Sequence, residues 1–167
     1  MRLGVFGGTF DPIHFGHLRM AEEARERLAL DRVLFVPAFI SPFKTGEPVT
    51  PGPKRAEMIA MAIQRNPGFA LSTVEIERPG PSYSVETLRA LRAENPGAEL
   101  FFLTGTDALE GLPKWHQPEV LLELATFVAV TRPGTDEAEV ERALSSLPVD
   151  WRGRVQFTRM PGLDISA

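Results

Sequence analysis

Apolar residues fall alternately into short continuous runs and longer amphipathic stretches along this chain. Leu3 to Phe6, Val33 to Val36, Leu100 to Leu103 and Thr126 to Val130 are short runs bounded by Gly, Pro or polar residues. Such runs mark strands buried on both faces. Between the first two, His17 to Leu30 sets Leu18, Ala21, Ala24 and Leu28 at helical spacing among Arg and Glu. Lys54 to Arg65 predicts a second helix, with Met58, Ile59, Ala62 and Ile63 as its buried face. Phe69 to Ile76 alternates as a strand does, until Arg78-Pro79-Gly80-Pro81 breaks it. Ser84 is the expected N-cap of a helix running to about Glu94. A short helix is expected over Val120 to Leu124, and an amphipathic one from the Arg132-Pro133-Gly134 turn to Leu144. Val155 to Phe157 reads as a last strand. Ala38 to Pro53 holds four prolines and reads as a long loop of the kind that usually carries function.

Strands separated by helices predict βαβ units, hence an α/β fold with a mainly parallel sheet of five or six strands covered on both faces. In such sheets ligands bind beyond the carboxyl ends of the strands, where strand order reverses. The chain has 167 residues, 43% apolar and 24% charged, with 18 Lys and Arg against 22 Asp and Glu. A net charge of −4 argues against a general nucleic-acid binder or a binder of anionic membranes. The absence of cysteine excludes disulfides, thiolate metal sites and a cysteine nucleophile. With no long apolar run and no leader-like N-terminus, a cytoplasmic location is the expectation.

The densest cluster of candidate chemistry is Gly7-Gly8-Thr9-Phe10-Asp11-Pro12-Ile13-His14-Phe15-Gly16-His17. Glycines after a strand let backbone approach a ligand closely. His17 is expected to open a helix whose free N–H groups favour phosphate. Two imidazoles at that end can donate to phosphate oxygens and stabilise charge in a transition state. The pair is also compatible with a metal site, yet H-E-x-x-H is missing and His116 is the one remaining histidine. There is no P-loop and no G-x-G-x-x-G fingerprint.

This segment resembles the signature of bacterial nicotinate-mononucleotide adenylyltransferases, members of the HxGH nucleotidyltransferase superfamily. Further motifs follow in the family's order: Pro81-Ser82-Tyr83-Ser84, Gly105-x-Asp107, Pro113-x-Trp115-His116, Arg132-Pro133-Gly134 and Asp164-Ile165-Ser166-Ala167. The resemblance implies a single Rossmann-like nucleotidyltransferase domain over residues 1–167. It also implies adenylyl transfer from ATP to nicotinate mononucleotide, giving nicotinate adenine dinucleotide and pyrophosphate. Because a phosphate monoester is already an anionic nucleophile, positioning and electrostatics can supply most of the catalysis.

By this resemblance His17 contacts the α-phosphate and His14 holds ATP phosphates. Gly7, Gly8, Thr9, Phe10, Lys44, Gly105, Asp107, Arg132 and Ser166 contribute to ATP and phosphate binding. In that set Asp107 accepts from ribose hydroxyls. Trp115 stacks on the pyridine ring, with Tyr83 and Ser84 near it. Mg²⁺ is expected on the ATP phosphates with no dedicated protein ligands. The expected partners are the two nucleotides, with no nucleic acid and no membrane; a homo-oligomer is compatible with these readings.

Two departures from the family pattern stand out. Ser41-Pro42-Phe43-Lys44 occupies the place of P-P-H-[KR], removing a histidine at position 43. The last motif stops at Ala167, about four residues before the family's phosphate-binding arginine, so a trimmed sequence is expected. The competing readings are a related transferase acting on nicotinamide mononucleotide or phosphopantetheine, and a non-catalytic nucleotide-sensing module. Turnover, and its loss on substituting His17, separates them.

Overall fold

The structure, a computed structural model, describes residues 1–43 and 46–159. Six strands form one sheet: β1 (Arg2–Gly8), β2 (Arg32–Pro37), β3 (Phe69–Leu71), β4 (Glu99–Gly105), β5 (Thr126–Thr131) and β6 (Val155–Arg159). Their order is β3-β2-β1-β4-β5-β6 and every neighbouring pair is parallel. This is the Rossmann-like α/β arrangement. Among the described residues six α-helices accompany them: α1 (Phe15–Arg27), α2 (Gly52–Ile63), α3 (Ser84–Glu94), α4 (Thr106–Glu110), α5 (Pro118–Leu124) and α6 (Glu137–Ser145). Among the described residues no helix is long and apolar enough to cross a membrane.

Side chains alternate across each central strand and divide the core in two. Phe6, Val33, Phe35, Phe101, Leu103 and Val128 face Ala21 and Ala24 of α1 and Ile59 and Ile63 of α2. Leu3, Val5, Leu100, Phe102 and Phe127 face α3 and α5 through Val85, Leu88, Leu91, Leu121 and Leu122. Burial on both faces is why β1, β4 and β5 are continuous apolar runs. Strand order reverses between β1 and β4, so the carboxyl ends of these neighbours open the crevice in which ligands of such sheets bind.

Several local expectations shift. Helix α1 begins at Phe15, so His17 sits in its first turn while the His14 carbonyl accepts from the N–H groups of His17 and Leu18. The helix stops at Arg27 because Ala29 takes a positive φ of 49°. The buried face of α2 is Arg55, Ala56, Ile59 and Ile63, with Ala62 exposed. Strand β3 is only three residues long; the chain then turns, with Glu77 N–H donating to the Thr73 carbonyl. The alternation over 72–76 therefore reflects a one-sided loop. Tyr83, not Ser84, caps α3, through its backbone carbonyl. Asp107 lies within the first turn of α4, which Gly105 caps.

Candidate active site

The residues after β1 build the floor of the site. Gly7, Gly8 and Thr9 line a cleft of about 680 Å³. A Cβ on Gly8 would come within 3.2 Å of the Phe10 ring, so a larger residue there would displace Phe10. Phe10 holds a φ of +50°, a left-handed conformation rare for a bulky side chain. Its ring is 2% exposed and meets Phe6 and His17 edge-on, with centroids 5.3 and 5.0 Å away. Phe10 thus supports His17 with its ring, and it also lines the hollow that His17 borders.

The two histidines form one unit. Their rings stack with centroids 3.7 Å apart. The His14 backbone N–H donates to Nδ1 of His17 at 3.2 Å. Nδ1 of His14 is buried and has no hydrogen-bond partner among the described residues. Burial, the adjacent His14 ring and the Arg132 charge together lower the His17 pKa to about 4. Burial and then Arg132 lower that of His14 as well. His17 is thus neutral near pH 7 and serves as a hydrogen-bond donor, while the permanent positive charge beside the pair is that of Arg132.

Around this centre lie three connected compartments. The 680 Å³ cleft extends from Gly7 and Gly8 past Phe102 to Tyr83, Ser84, Trp115 and His116. Trp115 is braced edge-on by Phe102 and Phe127 at 5.9 and 6.1 Å, and Phe43 tilts toward it at 5.7 Å. A second hollow of about 470 Å³ holds Asp107 with Arg132, and it shares Arg132 with the cleft. A third of about 420 Å³ reaches from His17 to the loop after β2 and shares Thr9, Ala38 and Ser41 with the cleft.

The expected residues therefore gather beyond the carboxyl ends of the strands, in two groups that meet at Arg132. Gly7, Gly8, Thr9, Tyr83, Ser84, Trp115 and Arg132 share the cleft. Asp107 sits in the neighbouring hollow. Gly105 ends β4 between the two and pairs with Val130 of β5. Lys44 and Ser166 lie outside the described residues.

Sequence reasoning gave no role to three buried polar residues. Arg55, 2% exposed, donates at 2.7 Å to each of three backbone carbonyls: Thr9, Ala38 and Thr50. The N–H of Thr50 in turn donates to Asp11 at 2.9 Å. Thus the loop after β1 and the loop after β2 are tied to α2 by one guanidinium. Its signal was present: Arg55 lies four residues before Ile59 and eight before Ile63, on the apolar stripe of α2. The other two, Glu75 and Ser82, are also buried and border the cleft. A lone carboxylate between Val74 and Ile76 was the only hint of Glu75.

A cytidylyltransferase-like family model matches residues 5–162. A protein of Thermomicrobium roseum named "Probable nicotinate-nucleotide adenylyltransferase" is 48% identical over 166 residues, covering 99% of this chain and 77% of its own. One of the same name from Thermus thermophilus is 53% identical over 134 residues, 80% of this chain and 71% of its own. The Plasmodium falciparum nicotinic acid mononucleotide adenylyltransferase complexed with NaAD superposes with a TM-score of 0.76 at 18% identity, covering 98% of this chain and 77% of that one. At that identity the structural likeness speaks for the fold, and it agrees with the sheet described above. Sequence identity to the curated relatives along nearly the whole chain places it in the nicotinate-nucleotide adenylyltransferase family.

Proposed function

We propose that this protein transfers the adenylyl group of ATP to nicotinate mononucleotide, and that residues 1–167 form one nucleotidyltransferase domain. The observation that carries the reading is that an aromatic compartment and a second one holding Asp107 meet at Arg132, whose charge acts on the stacked pair His14 and His17. A planar pyridine ring suits the first, against Trp115 and Tyr83. A ribose suits the second, its hydroxyls donating to Asp107. The phosphates of both nucleotides then meet at the histidines.

In the reaction, a phosphate oxygen of nicotinate mononucleotide attacks the α-phosphorus of ATP. The bond from that phosphorus to the bridging oxygen breaks, and pyrophosphate leaves with the bond's electron pair. No proton has to be removed from the nucleophile, so no general base is needed. His17 donates from Nε2 to an α-phosphate oxygen as negative charge accumulates. His14, stacked on it, donates to neighbouring phosphate oxygens, and Arg132 offsets charge across the gap. Trp115, Tyr83 and Ser84 hold the acceptor so that its phosphate lies in line with the leaving group. Gly7, Gly8 and Thr9 admit the phosphates close to backbone.

Mg²⁺ carried on the nucleotide phosphates would neutralise part of their charge. The donor set suits that arrangement: among the described residues no three His, Cys, Asp or Glu stand close enough to cage a cation. Mg²⁺ held through phosphate oxygens and water requires few protein ligands.

The test is pyrophosphate release with ATP, Mg²⁺ and either nicotinate mononucleotide, nicotinamide mononucleotide or phosphopantetheine. Preference for nicotinate mononucleotide is expected. Equal or better rates with another acceptor would reassign the substrate, and ATP binding without release on any acceptor would identify a sensing module.

A further inference from the structure

Glu75 is a buried carboxylate that neither the phosphate centre nor the ring-stacking residues account for. It is 5% exposed, yet it borders the cleft at the end holding Ser82, Tyr83, Ser84 and Thr87. The Thr87 hydroxyl donates to Glu75 Oε1 at 2.6 Å. The Ser82 hydroxyl is a second hydrogen-bond partner of the same carboxyl. Both hydroxyl oxygens already receive a proton from elsewhere. Thr87 Oγ1 accepts from Arg78 at 3.1 Å, and Ser82 Oγ accepts from the Phe39 N–H at 2.9 Å. Each hydroxyl thereby keeps its own proton to give to Glu75, and for Thr87 the shorter contact is with Glu75 rather than with the Tyr83 carbonyl at 3.3 Å. A carboxyl group has the acceptor capacity for both.

The three segments joined in this way are walls of one compartment. Thr87 lies in the first turn of α3, next to Tyr83 and Ser84. Ser82 belongs to the strip that bridges to the loop after β2, where its N–H donates to the Ile40 carbonyl at 2.9 Å. Phe39 belongs to that loop, which continues to Ser41, Pro42 and Phe43 on the opposite side of the cleft. Burying a charge is costly, and a hydrophobic residue would fill the same volume at less cost. A buried charge wired to both walls of a ligand compartment is a reason to retain it.

We propose that Glu75 is a positioning residue for the acceptor nucleotide: by taking the hydroxyl protons of Ser82 and Thr87 it fixes the two walls between which the pyridine end binds. The inference rests on the assignment of that compartment to nicotinate mononucleotide. It gives Glu75 no contact with the reacting atoms and no part in holding ATP, whose ribose the proposed function assigns to the hollow of Asp107.

The experiment is Glu75→Gln, with dissociation constants for nicotinate mononucleotide and for a non-hydrolysable ATP analogue measured by calorimetry, and KM for each substrate. A Gln amide keeps the shape but offers one accepting oxygen, so one hydroxyl loses its acceptor. Losing one hydrogen bond to a charged group predicts about tenfold weaker acceptor binding. ATP-analogue binding should stay within about twofold, with kcat little changed. Equal weakening of both ligands, or of neither, would overturn the proposal. Should Glu75→Gln fail to fold, Thr87→Val and Ser82→Ala each remove one arm and must show the same acceptor-selective loss; if they do not, the proposal fails. Failure of the underlying reading looks different, because wild-type protein would then neither bind nor turn over nicotinate mononucleotide.

Discussion

The backbone N–H of His14 donates to Nδ1 of His17 at 3.2 Å, and this bond decides what His17 can offer a ligand. A ring nitrogen that accepts carries no proton, so neutral His17 has its hydrogen on Nε2. The pKa of about 4 keeps it neutral, since protonating Nδ1 would put a cation in a buried place, against the His14 ring and near Arg132. The expected outcome of a ¹⁵N NMR titration is an Nε2–H tautomer for His17 at neutral pH, with a midpoint near 4. Pyrophosphate, an anion beside the ring, should move that midpoint upward. A midpoint at the ordinary value, or an Nδ1–H tautomer, would contradict this description.

Replacing His17 by Ala removes a donor whose value is greatest in the transition state. Turnover should fall by roughly 10²- to 10³-fold, as for loss of one preorganised donor. Binding of a non-hydrolysable ATP analogue should change by less than about threefold. A near-normal kcat would remove His17 from the chemistry.

The Arg55 guanidinium satisfies three carbonyls at once, of Thr9, Ala38 and Thr50. Lysine keeps the charge but not the planar fork, so at least one buried carbonyl loses its donor. Arg55→Lys should cost on the order of 2 kcal/mol in unfolding free energy. It should also loosen the loop after β1, seen as faster hydrogen exchange at the amide of Ala38, which bonds the Gly8 carbonyl at 2.9 Å. Unchanged stability and exchange would show that Arg55 does not hold these loops.

Burial raises the Glu75 pKa, outweighing the Thr87 hydrogen bond, the Arg78 charge and the Ser82 hydrogen bond. The folded protein then keeps this proton to a higher pH than the unfolded chain does. Stability from the group is full below the unfolded pKa and is lost as pH rises through the raised folded value. Denaturant unfolding of wild type and Glu75→Gln, compared from about pH 4 to about pH 8, should show the wild type losing ground as pH rises. A pH-independent difference would mean that burial does not govern this carboxyl. Keeping a buried carboxyl at the cleft walls therefore lowers stability as pH rises, a trade seen where function and stability compete.

The alternation of apolar runs and amphipathic stretches by itself determined the fold class, because strands buried on both faces must be apolar throughout and the helices covering them must be apolar on one side. Motifs were legible for the same local reason: Gly7-Gly8 follows a strand directly, and His14 and His17 lie three residues apart on one helical turn. Element ends were less legible. His14 rather than a later residue caps α1, Ser84 follows its cap, and the alternation after Leu71 belongs to a turn. Such ends depend on which backbone groups find partners elsewhere in the molecule. The placement of Phe10 beneath His17, the tie from Arg55 to Thr9 across 46 positions and the hub at Glu75 were decided only by tertiary structure. A charged side chain in an apolar stretch looks locally like an exception to the pattern. It becomes a structural requirement only when folding brings distant carbonyls or hydroxyls within reach and removes the water that would otherwise have served them.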